Sequence, residues 1–114
     1  MPGRWLLEVN VPVGLIPALK SYGVQADTAA AQGWEQLING RLLEAGSNSG
    51  FTTILTRDRR FGESAARSLK RFPSIAVVLI TLRQAPAPEF LSAFDIAWLN
   101  SPMSPIAGSV VLWP

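Results

Sequence analysis

Asp58 closes an apolar, β-branched run, Phe51-Thr52-Thr53-Ile54-Leu55-Thr56, and stands among Arg57, Arg59 and Arg60, with Phe61-Gly62 beyond. A buried strand that stops abruptly at a carboxylate delivers that carboxylate to a sheet edge. In open α/β sheets, ligands bind just outside the carboxyl ends of the strands. A second carboxylate, Glu8, and an amide, Asn10, follow another apolar run at Trp5-Leu6-Leu7. Two carboxylates beside an amide and an arginine cluster suit a Mg²⁺ or Mn²⁺ site facing a phosphodiester. The carboxylates hold the ion, the ion polarises phosphate and generates hydroxide from water, and arginines hold the flanking phosphates. The same residues have plainer uses. An aspartate after a buried strand often closes a turn or caps a helix, and Glu8 can pair with an arginine.

Composition removes several other chemistries. The 114-residue chain has no cysteine and no histidine. Disulfides, thiol nucleophiles, thiolate zinc sites, Ser-His-Asp triads and His-ligated metals are therefore excluded. Any metal must be a hard cation held by oxygen. The length fits one domain, and 48% hydrophobic against 16% charged residues indicates a folded globular protein. Net charge is only +2, a weak bias toward anionic partners. The local distribution is stronger: Arg57, Arg59, Arg60, Arg67, Lys70 and Arg71 are six of the ten basic residues. The plain alternative for that cluster is a solvated loop and helix face. No membrane span is expected, because the apolar run Ile75 to Ile80 is far below the roughly 20 residues required. The N-terminal apolar stretch is broken by Glu8 and Asn10, a poor signal peptide, so a cytoplasmic location is expected.

The elements that would position these residues alternate in type. Trp5 to Val9 predicts a first strand, buried on both faces and ended by Asn10-Val11-Pro12. Gly14 to Ser21 predicts a short helix, with Pro17 either in its first turn or kinking it. Val24-Gln25-Ala26 is the candidate second strand, and Thr28 to Gln32 reads as loop or helix fragment. Gly33-Trp34 marks a turn. A helix runs from Leu37 through Leu43, ended by Gly46-Ser47-Asn48-Ser49-Gly50. Thr53 to Thr56 is the third strand. Ser64 to Arg71 is a helix with Ala65, Ala66 and Leu69 inward and Arg67, Lys70 and Arg71 outward. Pro73 breaks the chain before Ile75 to Ile80, an unbroken apolar run suited to a sheet centre. Ala85 to Pro88 is a connector, Pro88-Glu89 a helix start, and Phe90, Leu91, Phe94, Ala97 and Trp98 its apolar face. Asn100 to Gly108 is loop, and Ser109 to Trp113 the last strand. Trp34 and Trp98 read as core packing.

Strands alternating with helices mean βαβ units, right-handed crossovers and a parallel sheet covered on both faces. All strand-to-helix connections then emerge on one edge. Glu8, Asn10, Asp58 and the strand tail around Thr81 become neighbours there, although they are far apart in sequence.

A resemblance adds to this reading. Leu6-Leu7-Glu8-Val9-Asn10-Val11-Pro12 resembles the opening of small stand-alone PIN-like proteins, typically Leu-Leu-Asp-Glu-Asn-Leu-Pro before a short helix. Gly33-Trp34 with Asn39-Gly40-Arg41-Leu42-Leu43 is similar to their Gly-Trp and Asn-Gly-Glu-Leu-Leu motif. Thr53 to Asp58 is similar to their Leu-Leu-Thr-(Thr/Arg)-Asp strand end, and Ile75 to Leu82 to their next strand. The four loose motifs, in register, cover essentially the whole chain, residues 1–114, as a single PIN-like domain. The resemblance implies a three-layer α/β/α sandwich with a mainly parallel central sheet. In PIN nucleases, including VapC-type toxins of toxin–antitoxin pairs, an acidic cluster binds Mg²⁺ or Mn²⁺ and cleaves RNA.

Carried over by position, Asp58 matches the strand-end aspartate, Glu8 stands for the first-strand aspartate, and Asn10 matches the asparagine beside it. The resemblance thus implies Asp58, Glu8 and Asn10 as catalytic residues, with Asp58 and Glu8 as metal ligands. Arg57, Arg59 and Arg60 become phosphate or RNA contacts. Arg41 stands at the middle acidic position, a charge reversal. It could occupy the metal's place by pairing with Asp58 or Glu8, or Glu44 or Glu35 could substitute for the missing acid. The implied partners are RNA, a cognate antitoxin-like protein and a second copy of the chain. Three readings follow: a metal-dependent ribonuclease; a catalytically degenerate PIN-like module binding RNA or a protein; and, last, a flavodoxin-like small-molecule binder, which lacks a Gly-rich phosphate loop.

Overall fold

Leu6 and Leu7, Ile54 and Leu55, and Val77 and Val78 are adjacent pairs, and every member is fully buried. Successive strand residues point to opposite faces, so a sheet built from these pairs must be covered on both sides. The computed structural model, which describes residues 3–114, has this form. In chain order it runs β1 (Arg4–Leu7), α1 (Leu15–Ser21), β2 (Ala26–Thr28), α2 (Gly40–Asn48), β3 (Phe51–Thr56), α3 (Arg59–Ser68), a 3₁₀ turn (Leu69–Arg71), β4 (Ala76–Ile80), α4 (Ala87–Asn100) and β5 (Val110–Trp113). The five strands form one sheet in the order β2-β1-β3-β4-β5. Every pairing is parallel, with Leu6 beside Ile54, Ile54 beside Val77, and Val77 beside Val110.

Two separate cores show the three layers. Leu7, Leu55, Val78 and Trp113 pack with Leu15 and Leu19 of α1 and Phe90, Phe94 and Trp98 of α4. Leu6, Ile54 and Val77 pack with Leu42 and Leu43 of α2 and Phe61 and Ala65 of α3. Each such leucine contributes roughly 1.5–3 kcal/mol relative to exposure. The α/β class and the sandwich therefore stand, with a sheet that is wholly rather than mainly parallel.

Several boundaries differ from the sequence expectation, each for a local reason. β1 ends at Leu7, and Val9 is exposed beyond it. Pro17 lies in the first turn of α1, where its missing N–H costs nothing. β2 comes two residues later than Val24-Gln25-Ala26, because the Val24 N–H closes the end of α1 on the Leu19 carbonyl at 2.9 Å. α2 begins at Gly40 rather than Leu37, and Gly46 is inside it. Gly46 is buried against Leu6, Ile54 and Ile75; the chain turns at Gly50 instead, at φ 85°. α3 starts at Arg59, five residues before Ser64. Its capping residue is Asp58, and Ala66 faces solvent rather than the core.

The two sheet edges differ. In β2, Asp27 accepts from the Thr28 N–H at 2.9 Å and from Gln32 at 2.6 Å, so a charge and a side chain occupy that edge. In β5 no residue is charged and Leu112 is 64% exposed.

Candidate functional site

The chain first steps from β1 to β2 on one side, then crosses to β3 on the other side of β1. Strand order reverses between β1 and β3, and this switch point is where doubly wound sheets open a crevice at their carboxyl ends. Glu8 lies on one lip of that crevice. Its N–H donates to the Leu55 carbonyl at 2.9 Å, continuing the parallel ladder one residue past β1. Asp58 lies on the other lip, two residues past β3. Both carboxylates are half-buried and line one small cavity of about 110 Å³, together with Glu35, Asn39, Arg60 and Phe61.

Four hydrogen bonds fix this geometry. The Asn10 N–H donates to Glu8 Oε2 at 2.8 Å, and Asn10 Oδ1 accepts from the Arg57 N–H at 3.0 Å. Asn10 is thus a brace between the two strand ends. The Asp58 N–H donates to Thr56 Oγ1 at 3.0 Å, and Asp58 Oδ1 accepts from the Arg60 N–H at 2.9 Å. That last bond is a helix N-cap, so the plainer use of this aspartate is realised. It engages one of the two carboxylate oxygens. Burial pushes the Glu8 carboxyl above its ordinary value of 4.5; the bond from Asn10 opposes the rise and the Asp58 charge adds to it.

The three arginines around Asp58 separate. Arg60 stays with the carboxylates. Arg57 and Arg59 line a different, polar groove of about 420 Å³ over the ends of β3 and β4, with Asn10, Thr81 and Gln84. The Arg57 guanidinium also lies 4.6 Å from the Phe90 ring centroid, which holds it over α4. The convergence of Glu8, Asn10, Asp58 and the strand tail at Thr81 is thus split between two depressions, with Asn10 bonded to residues of both. Arg41 and Glu44 are in neither. They line a third groove, with Ser68 and Arg71.

A hard cation fits the donor set in part. Glu8 and Asp58 offer carboxylate oxygens only, and Mg²⁺ is often held by one or two carboxylates with water and substrate phosphate. Among the described residues no three acidic side chains group closely enough to hold an ion. Glu35 shares the cavity wall without completing a cluster. Pattern reading missed Asn39 as a site residue. It sits in the same wall at φ 52° and ψ −131°, a backbone conformation that side chains with a Cβ rarely adopt. The Asn39-Gly40 pair was the only signal of it.

Among the described residues no helix is long and apolar enough to cross a membrane. The chain matches no family model, no curated protein and no solved structure.

Proposed function

We propose that the protein is a PIN-like, Mg²⁺- or Mn²⁺-dependent ribonuclease of the toxin–antitoxin type, acting in the cytoplasm. The observation that carries this reading is the meeting of Glu8 and Asp58 on one cavity at the β1/β3 switch point. Burial and a neighbouring negative charge raise the Glu8 pKa, and a cation between the two carboxylates would relieve both effects. Glu8 and Asp58 are the residues that would hold the ion. When bound, it polarises the phosphodiester and lowers the pKa of a coordinated water. Asn10 orients Glu8 and ties the two strand ends together. Arg60 sits beside the carboxylates, and Arg57 and Arg59 offer guanidiniums to flanking phosphates.

The test is Mn²⁺-dependent cleavage of mixed RNA by the purified protein and by Asp58→Ala. Cleavage by the first alone is expected. Equal cleavage by both, or none by either, overturns the nuclease reading. The second reading, a non-catalytic module that binds RNA or a protein partner, is favoured by the capping bond that already engages Asp58 Oδ1. It expects RNA binding without cleavage.

A further inference from the structure

Arg41 has no part in the carboxylate cavity, yet its surroundings converge. The groove of about 450 Å³ between the first turn of α2 and the end of α3 is lined by Arg41, Arg71, Ser68 and Glu44, among others. At its floor Gly40 permits a close approach. A Cβ there would stand 3.3 Å from Arg71 Nη2 and 3.4 Å from Ser68 Oγ. Two guanidiniums and a hydroxyl face one depression, against a single carboxylate. Such a set suits a phosphate group, which takes several N–H and O–H donors at once. The groove also adjoins the candidate site, because Ile38 and Asn39 line both. Of the chain's eight arginines, five line either this groove, the carboxylate cavity or the groove of Arg57 and Arg59. The carboxylates therefore lie between two cationic depressions.

We propose that the α2–α3 groove is a phosphate-binding subsite, with Arg41 and Arg71 as its cations and Ser68 as a hydroxyl donor. It grips a second phosphate of the single-stranded polynucleotide whose phosphodiester reaches Glu8 and Asp58. The proposal rests on the nucleic-acid reading above but not on catalysis. Arg41 then serves as a substrate contact, not as a stand-in for the metal.

Anisotropy with fluorescein-labelled single-stranded RNA, in EDTA so that nothing is cut, tests it. The probes are a trinucleotide and a decanucleotide, and inorganic phosphate is assayed separately. The wild type should bind the decanucleotide at least about tenfold more tightly than the trinucleotide. The Arg41→Ala/Arg71→Ala double variant should lose that gain. Its slope of log affinity against log salt, between about 50 and 200 mM, should fall by roughly 1.4, two single-strand contacts. Lys20→Ala, on α1 and far from the groove, should bind as wild type does. Both arginines are exposed, and either single exchange serves should the double variant misfold, with half the slope change expected. Unchanged length dependence and slope in the variants overturns the subsite. Binding of inorganic phosphate with no binding of either RNA overturns the polynucleotide as its source. Loss of cleavage with this length-dependent binding intact removes only the nuclease reading; intact cleavage with Arg41 and Arg71 silent removes only the groove.

Discussion

Asp58 is asked to do two things, and two substitutions separate them. Its Oδ1 caps α3 by accepting from the Arg60 N–H at 2.9 Å, and its charge raises the pKa of Glu8. Asp58→Ala removes both. Loss of an N-cap costs about 1 kcal/mol, within a range of about 0.5–2. Loss of a negative charge at a helix N-terminus adds a few tenths. Asp58→Asn keeps an oxygen in the capping position, and asparagine caps as well as aspartate does. That variant gives up only the dipole contribution, which relief of the repulsion on Glu8 offsets. Unfolding entropy of about 2.1 cal/mol/K per residue makes 1 kcal/mol equivalent to about 4 °C in Tm for a chain of this length. Asp58→Ala should thus melt about 4–8 °C below wild type, and Asp58→Asn within about 2 °C of it. Thermal unfolding by circular dichroism reads both. Carbon-13 shifts of the Glu8 carboxyl should meanwhile show its pKa falling in either variant, yet staying above 4.5, because burial is the larger cause. Equal stability of Asp58→Ala and wild type refutes the capping account. Equal destabilisation of both variants shows that the charge, not the cap, stabilises the fold. Neither variant should cleave RNA if Asp58 holds the ion.

Three further outcomes are expected. Glu8 has a folded pKa above its ordinary value of 4.5, so its contribution to stability is fully present below 4.5 and is lost as pH rises through the folded value. Urea unfolding from about pH 4 to 8 should show that decline, and Glu8→Gln should flatten it. Gly46→Ala should raise Tm by about 3–4 °C. Its new methyl would meet Ile75, Ile54 and Leu6 at 3.5–3.8 Å, ordinary contact distance, and alanine in a helix interior is favoured over glycine by about 0.8–1 kcal/mol. Mn²⁺ should raise the Tm of the wild type, by the equivalent of about 2.7 kcal/mol at a hundredfold excess over Kd. The Glu8→Gln/Asp58→Asn variant should show no such rise, and a rise there means the ion binds elsewhere.

What the sequence revealed, and what it hid, follows from how each feature is encoded. Ile75 to Ile80 announces a buried strand because burial on both faces needs an unbroken apolar run, and Thr53 to Thr56 announces another through its β-branched residues, although β3 starts two residues earlier, at Phe51. Asp58 announces itself as the end of one. β2 does not, since Ala26-Asp27-Thr28 has no apolar alternation and its strand character comes from pairing with Trp5, Leu6 and Leu7. Gly46 misleads because a glycine inside a buried helix turn looks the same in sequence as one that stops a helix. The start of α3 was hidden by Arg59, Arg60 and Gly62, which read as loop. The capping role of Asp58 would have moved it to the right place. The meeting of Glu8 with Asp58 follows from parallel topology alone. The displacement of Arg41 into a separate groove does not, because it depends on where α2 begins, and Asn39 makes no side-chain cap that would mark that start.

The position of β1 inside the sheet has a consequence for biosynthesis. Leu6 pairs with Asp27 on one side and Ile54 on the other and packs with Leu42 and Leu43, so until β3 arrives the strand has only the three-residue β2 as its neighbour and one open edge. Pairings this distant in sequence form slowly, because loop closure must precede the contacts that reward it. While β3 is still in the ribosomal tunnel, Trp5-Leu6-Leu7 is a segment for chaperones to shield. Ribosome-bound chains arrested before and after Thr56 has emerged should differ sharply in protease resistance, with the protected sheet appearing only in the longer one.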